Sequence, residues 1–143
     1  MIEIATIDQI EDAVNSVDCR SGFWPYTDDD ILFSEFYDRL GNIAYRETET
    51  GATALFCRRE EDPHMYEIHM ILPRGARVKK GLDIIRGMAR YMLRYHGAHV
   101  IRGEPPARNR AVRVFGYRLG FRRTDDPPFM RNGEEHLVYE WRL

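Results

Sequence analysis

The chain has 143 residues, 43% of them apolar and 12% aromatic, with two cysteines and a formal net charge of -2. That is apolar material for one packed domain and too much for a disordered chain, while no run approaches the ~20 apolar residues that cross a bilayer. The opening MIEIATIDQIEDAV places acids where a secretory signal needs cations, and Cys19 and Cys57 stand in neither a C-x-x-C nor a zinc spacing, so a soluble, cytoplasmic protein with reduced thiols and no metal site is expected.

In chain order, Ile2 and Ile4 alternate with polar neighbours as a short strand. Thr6-Ile7-Asp8-Gln9 then has the form of a capping box, with Ile10, Ala13, Val14 and Val17 at helical spacing behind it. After the turn-rich, aromatic CRSGFWPYTDDD, Thr27 with Asp30 predicts the start of a second helix, with Phe33, Phe36, Tyr37 and Leu40 on one face and Gly41 at its end. NIAYRETE and ATALFCRR, joined through Thr-Gly, read as a hairpin. MYEIHMILP comes next as a strand that turns Tyr66, Ile68, Met70 and Leu72 one way and Glu67, His69 and Ile71 the other, ending at Pro73.

From Lys79 to His96, the spacing of Leu82, Ile85, Met88 and Met92 predicts a long helix stopped by Gly97. HVIRGE is a short strand, NRAVRVFGYRL a second basic helix, FRR a strand, and EEHLVYEWRL one alternating strand with Leu137, Tyr139, Trp141 and Leu143 on one side. The resulting order, β-α-α-β-β-β-α-β-α-β-β, fits a mixed sheet with helices on both faces. Charge divides along the same line. Fourteen of the 21 Lys and Arg, but only two of the 23 acids, lie within residues 74–123, which therefore carry +12 against -14 for the remainder. Such a basic half suits a polyanionic ligand, a nucleic acid or a charged protein partner.

With that order in place, the stretches ILPRGARVKKGLDIIRGM and NRAVRVFGYRLGF together resemble the GNAT N-acetyltransferase superfamily. The element order agrees over nearly the whole chain and the motifs over Met65 to Phe121. The resemblance implies a single α/β (α+β) domain over residues 1–143, with a central mixed, mostly antiparallel sheet of about six or seven strands flanked by about four helices.

It also implies acetyl-CoA as co-substrate, its pyrophosphate held by the loop Arg77, Val78, Lys79, Lys80 and Gly81 and by the helix N-terminus behind it. Lys80 stands where that family's loop has its middle glycine, and Leu82 where the last small residue belongs. In the second motif Asn109, Phe115, Gly120 and Phe121 fall at matching places, and Asn109 counts with the cofactor-binding residues. The family's tyrosine, which protonates the departing thiolate, falls on Gly116, with Tyr117 one residue later and ~100° further around the helix.

Acetyl transfer to an amine needs a base, donors for the oxyanion and an acid for the thiolate. The resemblance implies Glu67 or His69 as base, Tyr117 as the nearest acid, backbone amides of Met70 to Leu72 at the thioester, and Phe23, Trp24 and Tyr26 around the acceptor. The alternative is a catalytically silent GNAT-like scaffold in a protein assembly, such as a phage virion or head-assembly protein, using the basic half toward a protein partner or a second copy. A nucleic-acid-binding module rests on charge alone, because Arg110, Arg113 and Arg118 spread over more than one side of their helix and no nucleic-acid-binding motif accompanies them.

Overall fold

The computed structural model describes residues 1–16, 19 and 32–143. The chain opens with β1 (Ile2–Ile4) and α1 (Ile7–Asn15). Thr6 caps α1 as its sequence requires: its hydroxyl accepts from the Gln9 N–H and the Gln9 side chain accepts from the Thr6 N–H. Ile10 and Val14 are the buried stripe of that helix. Between Leu32 and Gly41 only a single 3-10 turn, Phe36–Asp38, is present, so the expected helical face is not formed there and Leu40 is exposed. The expected start at Thr27 and Asp30 lies outside the described residues. Three α-helices, rather than about four, occur among the described residues.

β2 (Ile43–Glu47) and β3 (Thr53–Arg58) form the expected hairpin, succeeded by β4 (Met65–Ile71). The turn between β2 and β3 is knotted on the Glu47 carboxylate, which accepts from the Glu49 and Thr50 N–H groups and the Thr50 hydroxyl. Burial would raise the Glu47 carboxyl, but these donors outweigh it and bring it down to about 2.

α2 (Lys79–His96) crosses from β4 to β5 (Val100–Gly103), as two parallel neighbours require, and ends at Gly97 in the left-handed conformation. α3 (Arg110–Leu119) and β6 (Arg122–Arg123) come next. The C-terminal stretch is not one strand. Phe129–Arg131 (β7) and Glu134–His136 (β8) pair as a separate hairpin, and only Tyr139–Arg142 (β9) enters the main sheet. His136, Leu137 and Val138 are all buried in succession, which breaks the expected alternation. The main sheet runs β1-β2-β3-β4-β5-β9-β6, antiparallel at every step except β4 with β5.

Alternation along the strands sorts residues to two cores. Phe56, Tyr66, Ile68 and Ile101 meet Ile85, Met88 and Met92 of α2, with Leu119 of α3 and Phe121 beside them. Ala44, Leu55 and Ile71 face the other way, against Ile10 and Val14 of α1. Ile85, Met88 and Met92 are fully buried, and each contributes about 1.5–3 kcal/mol of burial energy.

The corner between β4 and α2 is a tight backbone contact. After Pro73 the chain makes a 3-10 turn, Arg74–Ala76, and the Ala76 carbonyl lies over the first turn of α2 at Gly81, where a methyl group would overlap it. Gly75, in the same loop, has open space around it. Gly81→Ala should therefore cost about 1–3 kcal/mol in a urea titration, while Gly75→Ala should leave the midpoint almost unchanged.

Candidate functional site

β4 pairs with β3 along its whole upper length, from Tyr66 opposite Arg58 to Ile71 opposite Thr53. Toward β5 it pairs only through Met65–Val100, Tyr66–Ile101 and Glu67–Arg102. The Arg59 N–H donates to the Met65 carbonyl on the β3 side, which fixes the parity of the strand: Tyr66, Ile68 and Met70 aim their backbone groups toward β5. Since the ladder stops at Glu67, the Met70 N–H has no strand partner on that side.

β5 leaves the sheet because the residues after it cannot continue the pairing. Pro105 and Pro106 have no N–H to extend a ladder. The β7–β8 hairpin takes hold of this segment instead. Leu137 N–H donates to the Pro105 carbonyl, Ala107 N–H donates to the Glu135 carbonyl, and His136 Nδ1 lies 2.8 Å from the Glu104 carbonyl oxygen. The result is a cleft between β4 and β5, open at the end where α2 begins.

At that end Val78 is the N-cap of α2 and has no side-chain acceptor to offer. The first helical bond runs from Leu82 N–H to the Val78 carbonyl, which leaves the Lys79, Lys80 and Gly81 N–H groups without helical partners. Lys80 does not cover them: its ammonium reaches Glu49 in the β2–β3 turn, 3.0 Å away, on the side of β4 remote from β5. Arg77 folds back so that its Nε donates to the Leu72 carbonyl at the end of β4. The side chains of Met70 and Leu72 pack on the α2 core, so these two residues meet the cleft through backbone.

The opposite sheet face carries a charged row. Cys57, Glu67, Arg102, Glu140 and Arg122 stand side by side across β3, β4, β5, β9 and β6. Glu67 accepts from Arg59 at 3.2 Å and pairs with His69 Nε2 at 3.3 Å. Glu104, with 5% of its side chain exposed, binds Arg102 at 2.8 Å and Arg131 at 2.9 Å. Burial would lower His69, but the neighbouring Cys57 and the Glu67 carboxylate, which favour the protonated ring, raise it to about 9; burial likewise works against Glu67, yet His69, Arg131 and Arg59 hold its carboxyl well below the usual range. At neutral pH the two therefore form an imidazolium–carboxylate pair. Its stabilising effect is complete between the ordinary carboxylate and imidazole ranges; it fades as pH rises through about 9 or falls toward 2.

The remaining expected site residues are dispersed. Asn109 is the N-cap of α3, its Oδ1 accepting from Val112 N–H. Gly116 is buried and its α-carbon faces Phe121, whereas Tyr117 is 60% exposed beneath the Arg122 guanidinium, 4.1 Å from its ring. Phe23, Trp24 and Tyr26 lie outside the described residues. The basic half is not one stripe: Arg102 is inside the charged row, Arg108 pairs with Glu134, and Arg86 donates to the Arg118 carbonyl. Arg59, Arg102, Glu104 and Arg131 were absent from the sequence-based site, although Asn132-Gly133, both at positive φ, is a hairpin signal that places Arg131. Among the described residues no group of three His, Cys, Asp or Glu is arranged to hold a metal ion, and no helix is long and apolar enough to cross a membrane.

NMR titration of the His69 ring should give a midpoint near 9, and Glu67→Gln should move it down toward the ordinary imidazole value. An unchanged midpoint in the variant would show that Glu67 does not hold the proton.

No protein-family model matches the sequence, and no curated protein matches it. Solved structures do match. An acetyltransferase of the GNAT family from Streptococcus pneumoniae aligns with a TM-score of 0.76 at 11% identity, over 100% of this chain and 99% of that one. The aminoglycoside acetyltransferase AAC(6')-Ib in complex with coenzyme A gives 0.74 at 13% identity, over 99% and 94%. Ribosomal-protein-S5-alanine acetyltransferase from Vibrio fischeri gives 0.71 at 12%, over 99% and 91%. The chain thus has the fold of the GNAT N-acetyltransferases.

Proposed function

We propose that the protein is an acyl-CoA-dependent N-acyltransferase acting on an amine. The observation that carries this reading is the cleft itself: a β4 edge released from β5 above Glu67, leading to an α2 N-terminus whose first N–H groups lack helical partners. Such an arrangement fits an elongated thioester with a pyrophosphate at one end, and coenzyme A is bound by a structure of the same fold. The acyl thioester brings the activated carbonyl; the rest falls to residues of this chain.

The N–H groups of Lys79, Lys80 and Gly81, with the positive end of the α2 dipole, serve the pyrophosphate. The loop residues Arg77 and Val78 set the direction of entry, and Asn109, the N-cap of α3, stays assigned to the cofactor from sequence. The Met70 N–H is the donor for the developing oxyanion, and the turn through Leu72 keeps the strand end rigid. His69, once it has released its own proton to solvent as pH rises toward about 9, takes the ammonium proton of the acceptor, and Glu67 orients the ring. Tyr117 is the only tyrosine within one residue of the family position, but its exposure and its stacking under Arg122 favour solvent as the proton source for the thiolate. Phe23, Trp24 and Tyr26 stay assigned to the acceptor from sequence.

Acetyl-CoA should raise the melting temperature, with a shift that grows with the logarithm of its concentration. With an amine acceptor supplied, His69→Gln should lower kcat by about a hundredfold while leaving that thermal shift intact. No shift at millimolar acetyl-CoA would remove the transferase reading.

A further inference from the structure

The reaction proposed above leaves a cavity unused. It holds about 250 Å³ between the flank of α2 and the last residues of β9, and Arg86, Arg90, Leu93, Trp141, Arg142 and Leu143 line it. Its floor is apolar. Trp141 packs on the α2 core beside Phe121, with ring centroids 5.5 Å apart, and Leu143, two residues on, shares that side of β9. Leu93 and Leu143 remain exposed around it.

The polar part is cationic, and no acidic side chain lines the cavity. Arg86 Nη2 donates to the Arg118 carbonyl at 2.8 Å, which fixes that guanidinium, while its ion-pair partner Asp83 stays 3.6 Å away, beyond hydrogen-bond length. Arg90, one turn further along α2, is exposed, and its guanidinium has no ion-pair partner among the described residues. The Arg142 side chain turns to the charged row, where it pairs with Glu140, so Arg142 meets the cavity through its backbone. Leu143 N–H donates to the His99 carbonyl just before β5, so the Arg142 N–H points away from β5. β6 pairs with β9 only at Tyr139 and Glu140 and does not reach it. Two guanidinium groups on one helix face and a backbone N–H without a strand partner therefore border one apolar hollow.

We propose that this hollow is a second ligand site, for a small molecule with one anionic group on an apolar body, such as a medium-chain carboxylate. Arg90 and the Arg142 N–H bind the anion, Arg86 adds charge, and Leu93, Trp141 and Leu143 cover the body. Like charges at i and i+4 of a helix repel, and an anion between Arg86 and Arg90 relieves that repulsion. The site is separate from the cleft, since Arg90 lies about 13 Å along the α2 axis from Gly81.

The probe is octanoate, with octanol as the same body without the charge. In NMR spectra recorded during the titration, the Arg90, Leu93, Trp141 and Arg142 resonances should move together and saturate in the millimolar range or below, with Met70 and Lys79 to Gly81 in place. Octanol should bind about tenfold more weakly than octanoate, and a folded Arg90→Gln variant should bind octanoate about tenfold more weakly than the parent. Leu93→Ser, which keeps both guanidinium groups, should weaken octanoate as well. No saturable shift at the cavity residues with millimolar octanoate, equal binding of octanol, or unchanged binding by either variant overturns the proposal. Shifts at Met70 and Lys79 to Gly81 in place of the cavity residues overturn it too, because the anion would then sit in the cleft. No coenzyme A enters the test, so failure of the transferase reading leaves it unaffected.

Discussion

The pairing between β4 and β5 stops at Glu67 and Arg102, and most of what the molecule can do depends on that stop. Two parallel strands joined by a long crossover helix have no intrinsic reason to part after three residues. The parting is enforced from the β5 side. Two consecutive prolines end its capacity to donate, and the β7–β8 hairpin supplies the hydrogen bonds that β4 would otherwise have offered. The Glu104 carboxylate, buried between Arg102 and Arg131, fixes the exit from the other direction. Removing one arginine from such a buried group costs more than the pair contributes in net stability, because it strands a charge. The gap is thus a built interruption of a sheet, held open by a small satellite hairpin.

The interruption connects two features that are inert separately. An uncapped helix start is an ordinary surface feature, and a free strand edge is usually an aggregation liability. Here the edge of β4 runs into the start of α2 through a corner so tight that the Ala76 carbonyl occupies the place of a side chain at Gly81. A short, tight corner thus joins the Met70 N–H, which lies beyond the β4–β5 ladder, to the Lys79, Lys80 and Gly81 N–H groups, which lack helical partners. Preorganisation of that kind is what electrostatic catalysis requires, since donors already oriented need not reorganise as charge develops. The side-chain chemistry lies on the opposite face, where His69 pairs with Glu67, Arg59 fixes the carboxylate and Cys57 stands opposite Glu67 on β3.

Local periodicity made most of this fold legible. The helix over Lys79–His96, the capping box at Thr6, the β2–β3 hairpin and the two faces of β4 can be read from spacing within a few residues, and the structure agrees with each. The segment after Phe33 misled because its aromatics keep helical spacing while packing from a 3-10 turn. EEHLVYEWRL misled because a strand that changes partners midway still alternates on either side of the break. Glu67 and His69 could be picked out by their shared face, but their neighbours Arg59, Arg102 and Arg131 lie just past β3, on β5 and on β7, and only tertiary pairing brings them together. Sequence alone could place Lys80 at the family's glycine position but not say where its side chain goes; in the structure it leans away to Glu49 in the β2–β3 turn, since its stem is long enough to reach that carboxylate.

The central claim is that the Met70 N–H and the N–H groups of Lys79 to Gly81 form one ligand-binding line along the opened cleft. Amide NMR spectra recorded while coenzyme A is added address it residue by residue. The account predicts that the Met70, Lys79, Lys80 and Gly81 resonances move together and saturate at one concentration. Resonances that stay in place at these four residues while others shift, or no shift anywhere at millimolar coenzyme A, would contradict it.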